Sequence, residues 1–218
     1  MDFSADFFAR NFHELQEHIA SMSSGYPLNY QRIDQKTEPV VDALPHFNGS
    51  KVLEIGSNFG MYSLLMSPIA RQVTALELDR ENIEISLKFR RFFENKGCQF
   101  GNVDFHQETA KSVVDYDYDA LLLTLVLYHL DDDEISILLN DAKQKASKII
   151  IQCRPARIIK VKDGSLKSHI SKTSRYNGLC DIASNIRFLQ DIGMTKIKVV
   201  VSEKMLGNEV FPVLIAER

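Results

Sequence analysis

The sequence predicts an α/β protein built on a mostly parallel sheet, and three observations carry that expectation. Strand-like runs alternate with helical segments between residues 51 and 153. One run, "YDALLLTLV" (118–126), is apolar almost throughout, as a central strand covered on both faces must be. A glycine-bearing turn, Gly56-Ser57-Asn58-Phe59-Gly60, closes the first run and opens a helix. Open α/β sheets bind their ligands at such turns, at the carboxyl ends of strands.

Residues 6–21 place Phe8, Phe12, Leu15 and Ile19 at helical spacing. The turn-rich "SSGYPLNYQRIDQKTEP" then reads as a loop or short helices lying over something else. "KVLEIG" (51–56) is the first strand, and "MYSLLMSPIA" has helical character that Pro68 should end. "QVTALELD" (72–79) is a strand, and "RENIEISLKFRRFFENKG" (80–97) is a helix closed by Gly97. "VDFHQ" (103–107) is the third strand.

After the apolar fourth strand, "DDDEISILLNDAKQKA" puts acids in its first turn and lysines in its last, matching the helix dipole. "KIIIQC" (148–153) is the fifth strand. The rhythm then breaks: residues 154–178 form a long basic connection, and 180–194 read as a helix ending near Gly193. "KIKVVVSE" (196–203) and "EVFPVLIAER" (209–218) are two strands with no helix between them.

Length and composition fit one soluble domain able to bury a large core. The chain has 218 residues, 44% hydrophobic and 25% charged, with a net charge of −3 that gives no general pull towards nucleic acid or anionic membrane. The longest apolar run, Ala120 to Tyr128, is far short of a membrane span. The start, "MDFSADFF", carries acids where an export signal carries lysines, and Cys98, Cys153 and Cys180 lack paired spacing. Free thiols in a reducing cytoplasm are the expectation.

The turn at 56–60 does not suit a pyrophosphate. A dinucleotide fingerprint needs glycine where Asn58 and Met61 stand, which disfavours an NAD-dependent oxidoreductase. Gly56 and Gly60 allow a tight turn, and Asn58 is the non-glycine residue that best tolerates a left-handed backbone. Glu54 precedes the first glycine near the strand's tip, a poor neighbour for phosphate and a good one for a cation. Glu77 ends the second strand, 23 residues later, where a carboxylate can accept both hydroxyls of an adenosine ribose. An adenosine with a cationic, phosphate-free tail is the ligand these features describe, and S-adenosylmethionine fits.

With those residues the sequence resembles the class I S-adenosylmethionine-dependent methyltransferases. "VLEIGSNFG" resembles their first motif, with Asn58 at the middle glycine, and "VTALELD" their second, with Glu77 in the ribose position followed by Leu78. "VDFHQETA" is similar to the third-strand segment whose acid meets the adenine amino group. That position aligns with Thr109, and Glu108 precedes it. "YDALLLTLVLYHL" resembles the fourth motif. The resemblance implies a Rossmann-like seven-stranded sheet in the order 3-2-1-4-5-7-6 with the last strand antiparallel. It also implies a cofactor held by Glu54, Gly56, Ser57, Asn58, Gly60, Glu77, Leu78, Glu108, Thr109 and Thr124. On this reading residues 1–47 are a cap over the active site, and 48–218 form the methyltransferase domain with a basic insertion at about 154–178.

The candidate catalytic residues are Tyr128 and His129, just after the fourth strand. A neutral histidine there takes a proton from an attacking hydroxyl or amine; the competing reading packs it under the next helix. The run Asp131 to Asp133 is explained by helix capping without a metal, and Thr124 and Leu125 stand where a metal-dependent relative needs an acid. The expected acceptor is a small molecule with an oxygen or nitrogen nucleophile. An RNA or protein acceptor is the alternative, resting on the +6 charge of residues 154–175, and a non-catalytic cofactor-binding protein is a further one.

Overall fold

The structure is a computed structural model that describes residues 30–153, 156–160, 166–169, 182–201 and 209–218. The expected helix at 6–21, Cys180 and much of the basic connection lie outside the described residues.

The chain enters on helix α1 (Tyr30–Ala43), followed by a 3-10 turn at Leu44–Phe47. Strand β1 (Lys51–Ile55) leads to α2 (Met61–Met66), and β2 (Gln72–Glu77) to α3 (Arg80–Asn95). Next come β3 (Val103–Gln107), a 3-10 turn at Ala110–Asp115, β4 (Ala120–Thr124), α4 (Asp132–Lys145) and β5 (Lys148–Gln152). The C-terminal third holds β6 (Ala156–Lys160), β7 (Leu166–His169), α5 (Ile182–Ile192), β8 (Lys196–Val200), β9 (Glu209–Val210) and β10 (Val213–Glu217).

Seven strands form one sheet in the order β3-β2-β1-β4-β5-β10-β8. The first five are parallel, with Leu53 opposite Thr74 on one side and Leu121 on the other. Strand β10 inserts antiparallel between β5 and β8, so the terminal pair closes the sheet in the expected 3-2-1-4-5-7-6 order. The order reverses between β1 and β4, which makes the carboxyl ends of those strands the topological switch point.

Alternation along each strand builds a core on both faces. Val52, Val73, Leu122 and Ile150 pack under α1, α2 and α3, where Val40, Phe47, Leu64, Phe89 and Phe93 meet them. Leu53, Ile55, Leu121, Leu123 and Ile149 pack against α4 and α5 through Leu138, Phe188 and Leu189. Ala120 to Leu123 are all fully enclosed, as the apolar run required.

Two expectations change. The stretch expected as a loop or short helices holds, from Tyr30, the single 14-residue helix α1, continuous through Pro39, because Val40 and Ala43 dock on the sheet with Leu44 and Phe47 just beyond. That burial outweighs the backbone bond Pro39 cannot make. The basic connection also contains β6 and β7, which with β9 form a second, antiparallel sheet. A connection this long must satisfy its own backbone polar groups, and strand pairing does so. Among the described residues no helix is long and apolar enough to cross a membrane.

Candidate functional site

The turn after β1 sits at the switch point and is built from left-handed residues. Gly56 has φ 71°, Asn58 φ 49° and Gly60 φ 69°, so asparagine takes the conformation anticipated for it. Every backbone N–H of the turn is engaged within the protein. Gly56 and Ser57 both donate to Leu76 O, at 2.8 and 3.0 Å, and Gly60 donates to Ser57 O at 2.9 Å. Asn58 N–H donates to Glu77 Oε2 at 2.7 Å, and Phe59 N–H to Asn58 Oδ1 at 2.8 Å. Such a turn offers no backbone cradle to a pyrophosphate.

Both glycines are also required by close approach. A Cβ on Gly56 would lie 2.7 Å from Val126 Cγ2, and one on Gly60 would lie 2.5 Å from Phe105 Cε1 and 2.9 Å from Ser86 Oγ. Ser86, on α3, donates to Asn58 O at 3.2 Å and so fixes the turn from the helix side.

Glu54 is not at an open strand tip. Its side chain points into the α1–α2–α3 layer and is fully enclosed. The Ser63 hydroxyl, in the first turn of α2, donates to Glu54 Oε2. Oε1 has no hydrogen-bond partner, and neither has the buried hydroxyl of Ser57. Burial pushes the Glu54 carboxyl up to about 8, the Ser63 bonds oppose this, and the Glu77 charge adds to it. Tyr62 is coupled to Glu54 as well. Burial raises its phenol, and Thr37 on α1 hydrogen-bonds to it.

Glu77 is half-buried at the end of β2, and its second oxygen accepts the Asp79 N–H at 2.9 Å. Beside it Leu78 is 67% exposed, the most exposed large apolar side chain among those described. Glu108 donates its N–H to Glu77 O at 3.1 Å, and its carboxylate accepts the Tyr116 hydroxyl. Burial first, then that pairing, pushes the Tyr116 phenol up to about 12. Thr109 is differently employed: its hydroxyl accepts the Lys111 N–H at 3.2 Å and caps the following 3-10 turn.

Across the switch point, Thr124 ends β4 half-buried and Leu125 follows at φ 52°, a strained backbone for a leucine. Leu125 N–H donates to Gln152 O at 3.1 Å. The 3-10 turn Leu127–His129 then presents Tyr128 and His129, whose ring centroids are 4.2 Å apart at 45°. His129 is exposed, so it is not packed beneath α4. Asp131 caps α4 by accepting the Glu134 N–H at 2.7 Å, while Glu134 Oε2 accepts the Asp131 N–H at 3.1 Å. No group of three or more His, Cys, Asp or Glu able to hold a metal ion occurs among the described residues.

The structure thus brings Glu54, the 56–60 turn, Glu77, Leu78 and Glu108 together at the ends of β1, β2 and β3, facing Val126 after β4. Sequence reasoning did not single out Ser63, Thr37 or Tyr116, whereas Val126 falls in the 124–129 stretch expected to floor the acceptor site. Ser63 carried a signal, as a hydroxyl residue in the first turn of an otherwise apolar helix; Thr37 and Tyr116 are joined to the site only by folding.

The family model described as tellurite resistance protein TehB matches residues 23–150, more than half of the chain. No curated protein sequence matches it. Among solved structures, the N-methyltransferase NodS from Bradyrhizobium japonicum WM9 superposes with a TM-score of 0.61 at 13% identity, over 87% of this chain and 97% of that one. Magnesium protoporphyrin IX methyltransferase (ChlM) from Synechocystis PCC 6803, with bound SAH, gives 0.60 at 12% identity, over 98% and 97%. TehB from Haemophilus influenzae gives 0.56 at 16% identity, over 85% of this chain and 65% of that chain. The chain belongs to the TehB family, and its sheet has the fold of the class I S-adenosylmethionine-dependent methyltransferases.

Proposed function

We propose that this protein transfers a methyl group from S-adenosylmethionine to an oxygen or nitrogen nucleophile of a small molecule. One observation carries the reading: two buried oxygens without partners, Glu54 Oε1 and Ser57 Oγ, border a turn whose backbone donors are all engaged. Buried polar groups left unpaired in a native fold call for an explanation, and an acceptor at Glu54 suits an incoming ammonium. The residues present fit the cofactor. Glu54 would meet the ammonium, Glu77 retains lone pairs for ribose hydroxyls, and exposed Leu78 offers an apolar surface to a base. A pyrophosphate would meet carboxylates and no free backbone donor, which argues against a dinucleotide.

When bound, the cofactor supplies an electrophilic methyl group on a sulfonium. The protein's own part is to orient the two reactants and keep water out. Val126, Tyr128 and His129 line the β4 side, where His129 would accept the proton of an attacking hydroxyl or amine. The relatives named as an N-methyltransferase and a porphyrin methyltransferase support a small acceptor. Residues 1–47 are read as covering this site, and the unpaired cysteine spacing supports a cytoplasmic location.

Calorimetry with S-adenosylhomocysteine and with NAD tests the reading. Saturable binding of the first alone is expected, followed by transfer of labelled methyl into an acid-soluble metabolite fraction. Binding of NAD alone would overturn the cofactor, and label appearing in RNA or protein would overturn the acceptor class.

A further inference from the structure

Asn58 occupies the place of the middle glycine, and its side chain does something a glycine cannot. Its Oδ1 accepts the Phe59 N–H at 2.8 Å, which fixes the plane of the carboxamide. With Oδ1 turned back to the chain, the two Nδ2 hydrogens are directed away from the turn, and the residue is exposed. Its own backbone N–H is directed to Glu77 Oε2, so backbone and side chain serve different neighbours.

The ligand's chemistry makes this matter. The amino-acid tail of S-adenosylmethionine carries one ammonium and one carboxylate. Glu54 suits the ammonium, but the Glu77 carboxylate borders the turn at the Asn58 N–H and would repel the tail's carboxylate. The backbone N–H groups of residues 56–60 are all engaged, so within the turn only side chains have a hydrogen to give: the Ser57 hydroxyl and the Asn58 carboxamide. The Ser57 hydroxyl is enclosed. The Asn58 amide is the exposed donor.

Resting on the methyltransferase reading, we propose that Asn58 is a specificity-determining residue whose Nδ2 donates to the carboxylate of the cofactor's amino-acid tail. Backbone donation, the usual service of a glycine turn, is here replaced by a side-chain amide held in place by Phe59 N–H.

The test compares two ligands differing only in that group: S-adenosylhomocysteine and its decarboxylated analogue. The wild-type protein should prefer the carboxylated ligand by about tenfold or more, as a hydrogen bond to a charged group warrants. In Asn58→Gly, which keeps the left-handed backbone, that preference should collapse while affinity for the decarboxylated analogue holds. In Asn58→Asp, which can still accept from Phe59 N–H but presents an oxygen instead of the amide, the preference should invert. Equal weakening of both ligands, or an undiminished preference in either variant, overturns the proposal. Failure of the wild-type protein to bind either ligand would instead defeat the methyltransferase reading itself, and unchanged binding of the decarboxylated analogue shows that each variant has folded.

Discussion

Gly56 and Val126 are separated by 70 positions, yet a single methyl group on Gly56 would lie 2.7 Å from Val126 Cγ2 and 3.2 Å from its Cβ. This close approach joins the turn after β1 to the turn after β4. Gly56→Ala should therefore destabilise the fold by about 2–4 kcal/mol, through overpacking plus a left-handed alanine. Val126→Ala in the same chain should return about 1 kcal/mol of that, leaving the backbone strain. Denaturant midpoints of the single and double variants give the coupling; strictly additive effects would mean the two side chains do not meet.

Glu54 supplies a pH prediction whose sign is fixed by its environment. Its carboxyl is raised from 4.5 to about 8 in the folded protein. Between those values the folded chain holds a proton that the unfolded chain releases, so stability falls as pH rises from about 4.5 to 8 and levels off beyond. The span corresponds to on the order of 5 kcal/mol. Glu54→Gln, which needs no proton to remain neutral, should flatten this slope. Urea midpoints at pH 5, 6.5 and 8 measure it, and an equal slope in both proteins would rule Glu54 out as its source.

For His129 the expected signature is a split between chemistry and binding. The ring is exposed beside Tyr128, 4.2 Å centroid to centroid, on the turn after β4. His129→Ala should lower kcat by about 100-fold, the lower end of a general base's contribution, with the dissociation constant of S-adenosylhomocysteine unchanged. Turnover equal to wild type would remove the base from the mechanism.

Asp131 is predicted to matter for stability and not for turnover. Its Oδ1 accepts the Glu134 N–H at 2.7 Å and the Glu134 carboxylate reciprocates. Asp131→Ala should cost about 1 kcal/mol of unfolding free energy. Cofactor affinity should stay the same; a large drop in affinity with no loss of stability would give this acid a role in the site that helix capping does not explain.

Much of the architecture was legible residue by residue. The alternating strands and helices and the enclosed β4 run predicted a mostly parallel sheet, and the resemblance to the class I methyltransferases implied the strand order that is observed. Asp131 to Asp133 announced a helix start and form one. Asn58 was expected in a left-handed conformation and has φ 49°. The length of α1 was not legible, and a loop or short helices were expected there, because turn-forming residues are judged locally whereas Val40 and Ala43 dock on a sheet formed later in the chain.

By itself the sequence determined which segments between residues 51 and 153 extend, which coil, and where the chain can turn left-handed. These follow from periodicity and from sterics between adjacent residues, which need no partner. Only the tertiary structure decided that Glu54 is enclosed with one oxygen unpaired, that Thr109 caps a turn while Glu108 receives Tyr116, and that Val126 demands a glycine at 56. Those outcomes depend on which distant side chains arrive at the same place, and on the low-dielectric surroundings they create together once water has been removed.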